Sequence, residues 1–255
     1  MTITAEYELL VGFLLALVRA SAWLVLVPPF GTRAIPAQVK VGLAAALSLP
    51  VAGKIGEQAP APEVVPLIGA IVVQVAVGVA LGFMVYLFFA AVQAAGELID
   101  VFGGFTVAPA YDPLSNAQSS TFGRFYQLLA TTLLFAINGH LLLVRGFLTS
   151  YDAVSASPTL ENFSSGFVDA FGSFFLAAIE IAAPLLAALF LAEVALGLLS
   201  KAAPQMNVFM VGFPVKIILC LALVGLALPL LPNTVSSLVE NAIRAGNGLT
   251  SSLGG

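Results

Sequence analysis

Apolar residues fall into six runs separated by short polar stretches: Leu9–Val27, Ala37–Ala52, Val64–Ile99, Gly123–Ser150, Phe167–Leu199 and Asn207–Leu231. A helix needs ~20 residues to cross the hydrocarbon core of a bilayer. All the runs but the second reach that length. The third and fifth exceed it by enough to require tilt, a kink or projection beyond the lipid. Proline has no N–H to donate and ends or bends helices. Pro28-Pro29 closes the first run, Pro50 the second, and Pro184 divides the fifth. Pro214 and Pro229 lie near the two ends of the sixth. The linkers 53–63 and 151–166 are polar and rich in turn formers. After Pro232 the pattern weakens into an Asn/Gly/Ser-rich end, where Val235–Ala245 predicts a short amphipathic helix within a weakly ordered tail. No repeat of 20–50 residues is visible. The expected fold is all-α: a polytopic, hydrophobic protein of about six long, kinked helices.

Composition sharpens this picture. The chain has 255 residues, 60% of them hydrophobic and 9% charged, where soluble domains carry about 25% charged residues. An integral membrane protein follows, or a subunit whose apolar surface other subunits cover. The net charge of −4 is spread over few groups, and no basic patch exists for nucleic acid. Cys220 is the single cysteine, which rules out an internal disulfide and a cysteine metal cluster. The start carries Glu6 and Glu8 where a cleavable signal needs positive charge, so the first run is expected to be retained. If all six runs span, Arg33, Lys40, Arg124 and Lys201 share one side and Lys54 and Arg244 the other. The first side is then the cytoplasmic one.

The stretch from Glu97 to Arg124 stands apart. Glu97 and Asp100 open it, Gly103-Gly104 follow, then the apolar patch Phe105-Thr106-Val107. Pro109, Tyr111 and Asp112-Pro113 punctuate it before a Ser/Asn/Gln tract. The glycine pair and the X-Pro steps predict that the preceding helix stops here. The stretch is too polar for lipid, yet it carries Phe102, Phe105, Tyr111 and Phe122. It reads either as an ordinary interhelical loop or as a gate, plug or lining.

Five charges interrupt the apolar runs: Arg19, Arg145, Glu180, Glu193 and Lys216. Each costs about 2.5–3.5 kcal/mol at a helix centre on insertion scales, so they are expected to face water, another helix or each other. They mark either an ion or substrate path or pairing within and between subunits. Glu193 and Lys216 flank a short turn around Pro204 and are a plausible pair. Gly78, Gly82, Ala90 and Ala94 share one helical stripe, and the Gly78/Gly82 spacing permits close approach of another helix.

No catalytic constellation is present. His140, the single histidine, sits in Asn138-Gly139-His140 inside an apolar run and reads as a packing residue. Metal sites need three or four donors, and none cluster by spacing. There is no GxSxG, P-loop or GxGxxG. Tyr111-Asp112 lacks the GxGD partner of intramembrane aspartyl proteases. No enzymatic activity, metal or cofactor is expected.

Several motifs together resemble one family. Ala203-Pro204-Gln205-Met206-Asn207-Val208-Phe209-Met210-Val211-Gly212-Phe213-Pro214-Val215-Lys216 is similar to the C-terminal signature of the FliR family, which serves flagellar export and virulence type III secretion. Arg19, Pro28-Pro29-Phe30 and Pro36 fit its N-terminal region. Gly96-Glu97-Leu98-Ile99-Asp100, Gly103-Gly104 and Asp112-Pro113 fit its centre, and Asn138-Gly139-His140 with Ser150-Tyr151 its fourth-helix region. The resemblance covers nearly the whole chain. It implies a FliP-like helical portion (1–166) fused to a FliQ-like hairpin with its tail (167–255). It also implies a flagellar type III export gate built with FliP-like, FliQ-like and FlhB-like subunits in the bacterial inner membrane, through which unfolded proteins pass. On this resemblance, the loop 103–122 plugs the closed pore, and Arg19, Glu97, Asp100, Arg145, Glu180, Glu193 and Lys216 serve subunit packing. Three alternatives remain open: a stand-alone secondary transporter or channel, the homologous virulence subunit, and an assembly subunit with no moving part.

Overall fold

A computed structural model describes residues 2–60, 62–105, 120–153, 163–205 and 208–254. Every regular element among them is helical: α1 (Thr2–Leu26), α2 (Ala37–Ser48), α3 (Ala52–Gly56), α4 (Val64–Gly103), α5 (Thr121–Ala136), α6 (Gly139–Ala153), α7 (Phe163–Ala202), α8 (Val208–Ala227) and α9 (Leu231–Gly254). Short 3-10 turns at Leu49–Val51 and Leu228–Leu230 each contain the proline expected there. Among the described residues, five stretches are long and apolar enough to cross a membrane, or six if α5 and α6 make one span. The protein is a polytopic helical membrane protein.

The expected second run, too short alone, extends through its 3-10 turn to Gly56 and so reaches 20 residues, a membrane-scale length. The expected fourth run is two helices rather than one. Asn138 takes φ 57°, a left-handed conformation that asparagine tolerates better than most residues. The Ile137 N–H still bonds back to Leu133, and the Leu141 N–H starts the next helix on the Asn138 carbonyl. The tail departs most from expectation. It is helical to Gly254, because Leu231, Val235, Leu238, Val239, Ala242 and Leu249 keep one buried stripe through the Gly/Asn-rich end. Pro184 and Pro214 both sit inside continuous helices.

The chain forms two compact units, each discontinuous in sequence. The first comprises residues 1–88, 138–171 and 239–255, the second residues 89–137 and 172–238.

In the first unit, α1 is the centre. Its buried face (Val11, Leu15, Ala16, Arg19, Ala20, Trp23 and Leu24) recurs at helical spacing. Gly12 and Gly56 let α1 and α3 touch through backbone: a Cβ on Gly12 would overlap the Ala52 carbonyl. Gly78 and Gly82 bring α4 against α1, where a Cβ on Gly78 would lie 2.5 Å from the Arg19 carbonyl oxygen. Phe147 of α6 stacks on Trp23 at 4.5 Å between centroids. Ile243 of α9 fills the space beside Gly146.

In the second unit, α5 buries Phe122, Tyr126, Ala130 and Leu134 on one stripe. The α7–α8 pair packs through Leu196 against Gly212. Both helices leave wide apolar faces exposed, including Phe175, Leu176, Phe190, Leu191, Met210 and Ile218.

Candidate functional site: the exit from α4 and the entry to α5

The most elaborate polar arrangement of the second unit stands where α4 ends and α5 begins. Helix α4 terminates at the glycine pair that sequence marked as a breaker. Gly104 takes φ +86°, a region nearly closed to side-chain-bearing residues. The Phe105 N–H bonds to the Asp100 carbonyl at 3.0 Å and the Gly104 N–H to Val101 at 3.4 Å. This pair of reversed bonds with glycine just past the helix end is the Schellman arrangement, which satisfies carbonyls left open by the last turn.

Both glycines are also needed for packing. A Cβ on Gly103 would fall 2.9 Å from the Cys220 sulfur, and one on Gly104 3.1 Å from the Phe213 ring. The exit of α4 is therefore seated against α8. Phe105 meets Phe122 edge to face at 5.0 Å between centroids.

The entry to α5 is held from the same place. Asp100 is 1% exposed, and its carboxylate accepts the Phe122 N–H at 2.9 Å and the Gly123 N–H at 3.4 Å. The Ser120 hydroxyl also donates to it. Ser120 is the N-cap of α5, and its oxygen accepts the Gly123 N–H at 2.7 Å. Free N–H groups at a helix start favour a negative partner, so a buried carboxylate is well placed here. Gly96, one turn earlier on α4, makes room: a Cβ there would sit 2.5 Å from the Phe122 carbonyl oxygen.

Asp100 thus binds both ends of one connection. Its backbone carbonyl receives the exit residue, and its side chain receives the entry residues.

The other expected site residues lie as follows. Thr106, Val107, Pro109, Tyr111, Asp112, Pro113 and Asn207 are outside the described residues. Glu97 is exposed and accepts a hydrogen bond from Gln93 at 2.9 Å. Glu193 and Lys216 form the anticipated ion pair across α7 and α8. Arg145 and Glu180 are exposed. Pro204 and Gln205 form the exposed turn before α8, Gly212 is buried against Leu196, and Pro214 is exposed.

Arg19 belongs to the first unit and is fully buried. Its Nε donates to Gln74 at 2.6 Å and its Nη1 to the Ser150 carbonyl at 3.1 Å. The guanidinium lies 4.4 Å from the centre of the Tyr151 ring. Those contacts join α1, α4 and α6 inside this chain.

Sequence reasoning missed Ser120 and the pocket made by Cys220 and Phe213. Ser120 carried a readable signal, a serine just before an amphipathic run. The pocket had none, because its parts are a hundred residues from the glycines they receive.

Comparison with known proteins identifies the relatives. Residues 10–242 match the family described as bacterial export proteins, family 1. The flagellar biosynthetic protein FliR of Bacillus subtilis (strain 168) is 35% identical over 216 residues, covering 82% of this chain and 83% of the relative. The protein of that name from Escherichia coli (strain K12) is 31% identical over 222 residues, 84% and 83% of the two chains. The Yop proteins translocation protein T of Yersinia pestis is 32% identical over 147 residues, 56% of each. With most of its length matched, this chain belongs to the FliR family of bacterial export proteins.

Proposed function

We propose that this protein is a subunit of the flagellar type III export gate, helping to form and seal the pore through which unfolded flagellar proteins leave the cell. It is a multi-pass inner-membrane protein of the export apparatus. The observation that carries the reading is similarity to FliR proteins along more than four-fifths of the chain, against just over half for the virulence relative. We read it as non-catalytic, with the energy for export supplied elsewhere in the machine.

The finer reading assigns partners and a seal. FliP-like and FliQ-like subunits, with an FlhB-like one beside them, cover the apolar faces of α7 and α8. The exposed Arg145, Glu180 and Glu193 meet groups on those subunits. A FliP-like portion (1–166) fused to a FliQ-like hairpin remains the evolutionary reading of the chain. The connection 103–122 closes the pore at rest, with Phe105-Thr106-Val107 as its occluding patch. Gly103 and Gly104 are packed against Cys220 and Phe213, so they fix the root of the connection.

Co-expression with the FliP-like and FliQ-like neighbours, followed by native mass spectrometry in mild detergent, tests the assignment. A single large complex containing one copy of this chain is expected. A monodisperse particle of this chain alone, indifferent to its neighbours, would return the stand-alone transporter to first place. Deleting residues 105–111 tests the seal. The gate is expected to assemble and to leak small ions.

A further inference from the structure

We propose that the outward face of α9 is a water-bathed wall of the export path, along which an unfolded polypeptide slides without adhering. The inference rests on the reading of this chain as an export-gate subunit and names a surface within it. It starts from a contrast between helices. Among the described residues, every other helix except the five-residue α3 exposes large apolar side chains, Leu10 on α1, Val72 on α4, Leu191 on α7 and Ile218 on α8 among them. Helix α9 exposes none. Its outward residues are Asn233, Ser237, Glu240, Arg244 and Asn247. Steps of three and four residues line them up on one side of the helix.

Lipid does not suit this face. Glu240 and Arg244 form no ion pair among the described residues, and charges left to themselves are costly in hydrocarbon. Crossing the bilayer does not need α9 either. Helix α8 alone has 20 residues, which at a rise of ~1.5 Å per residue reach the ~30 Å thickness of the hydrocarbon core. A subunit interface fits no better. Interface cores are enriched in aromatic residues and Met and depleted in Glu and Ser. The α7 face has such aromatic groups, with Phe175 and Phe190 exposed, whereas the α9 stripe holds amides, a hydroxyl and two opposite charges. Water is the occupant that satisfies all of these groups.

That chemistry suits a passage for unfolded protein. An unfolded chain carries apolar side chains, which adhere wherever they find apolar area to bury, and charges of both signs. The stripe offers no such area, and one carboxylate with one guanidinium leaves no net charge to hold either sign. The wall is also fixed from behind within the first unit. Ile243 fills the space beside Gly146, and a Cβ on Gly246 would lie 3.4 Å from Leu81 of α4.

The test uses Ser237→Cys, Glu240→Cys and Asn247→Cys, with Ile218→Cys as the comparison on α8, each in the complete assembled machine. The parent, whose Cys220 is buried, gives the background. A cationic, membrane-impermeant methanethiosulfonate is applied from both sides of the membrane. The α9 cysteines are expected to react about tenfold or more faster than Ile218→Cys. They are expected to slow several-fold when an export substrate fused to a domain that cannot unfold is stalled in the gate. Rates no faster than Ile218→Cys overturn the proposal, because lipid or a neighbour then covers α9. Fast rates that ignore the stalled chain overturn it too, because the water then lies outside the path. Ser237→Leu is a second test. It is expected to slow export several-fold at unchanged abundance of the complex, and unchanged export overturns the non-adhesive wall. An assembled complex with unreactive α9 cysteines leaves the gate reading standing, whereas a parent chain that never joins its neighbours overturns that reading and this inference with it.

Discussion

Two buried charges of opposite sign, one in each unit, solve the same problem in different ways. Arg19 is 0% exposed and Asp100 1%, and both sit in stretches that are otherwise strongly apolar. Arg19 reaches across sequence: its hydrogen-bond partners Gln74 and Ser150 are 55 and 131 residues away. Asp100 reaches only to residues 20 to 23 positions on. The cation joins three helices, and the anion shapes one connection. Burying an ion costs several kcal/mol unless hydrogen bonds answer it, and here both are answered within their own unit. A charge inside an apolar run is therefore no sufficient sign of an ion path, and the partners' distance along the chain separates a helix-joining role from a loop-setting one.

The contrast is broken most directly at Arg19. Arg19→Met strands the acceptors on Gln74 and Ser150 and removes the guanidinium from the Tyr151 ring. The expected loss is about 1–3 kcal/mol for each buried acceptor left unpaired, seen as a sharp fall in membrane abundance and in the melting temperature of the assembled complex. Arg19→Lys should recover little, since an ammonium cannot place two donors at fixed angles and also stack. Asp100→Asn should cost less, about 1–3 kcal/mol, and leave the protein present but altered at one connection. Equal abundance in Arg19→Met and the parent would remove the difference between the two charges.

The next effect tests the contact that seats Arg19's helix. A Cβ on Gly78 would meet the Arg19 carbonyl oxygen at 2.5 Å, backbone that cannot rotate away. Gly78→Leu is expected to cost about 1–3 kcal/mol by overpacking and to mimic a weak Arg19 variant. Gly82 is less confined, with its nearest neighbour 3.0 Å away, so Gly82→Ala should do less. Gly225 faces open space, and Gly225→Ala should be neutral or slightly stabilising through helix propensity alone. Complex melting temperatures for the three variants give the order directly.

How far sequence went can be judged on these same residues. The long helices were legible because apolar runs with proline ends have few other solutions in a membrane. The stop at Gly103-Gly104 was legible as a stop. Its packing against Cys220 and Phe213 was not, since nothing local encodes it. The break at Asn138 was overlooked because apolar residues continue on both sides, although Asn138-Gly139 is itself a turn dipeptide. The Gly78/Gly82 spacing announced a close helix without saying whose. The partner is α1 of the same chain. Arg19 and Asp100 were conspicuous as charges, but their partners are serine, glutamine and backbone, which hydropathy does not single out. The tail misled because Gly246 and Asn247 look like an ending, while Leu249 and Thr250 are still buried on the helical stripe.

Ion pairs between side chains form the lower end of the series. Glu193 is 61% exposed and Lys216 18%, so their coupling depends on what covers α7 and α8. A double-mutant cycle on the isolated chain in detergent should give about 0.2–1 kcal/mol. In the assembled complex the same cycle should give more, because a partner excludes water from the pair. Equal coupling in both states would mean that this part of the hairpin stays open in the gate.

Lys54 and Asp152 sharpen the comparison from the opposite side. They form a direct ion pair within the first unit, the unit that also holds Arg19, but their side chains are 50% and 63% exposed. Water already stabilises both charges, and holding two long side chains in one geometry costs conformational entropy. Lys54→Ala should therefore change stability by no more than about 0.5 kcal/mol, with the difference shrinking further at high salt. The buried Arg19, whose partners include a neutral amide and a carbonyl, should outweigh it several-fold despite lacking so simple a pairing. If Lys54→Ala instead rivals Arg19→Met, and does so independently of salt, then water does not reach that pair in the assembled protein and the surface around Lys54 is covered by a neighbour.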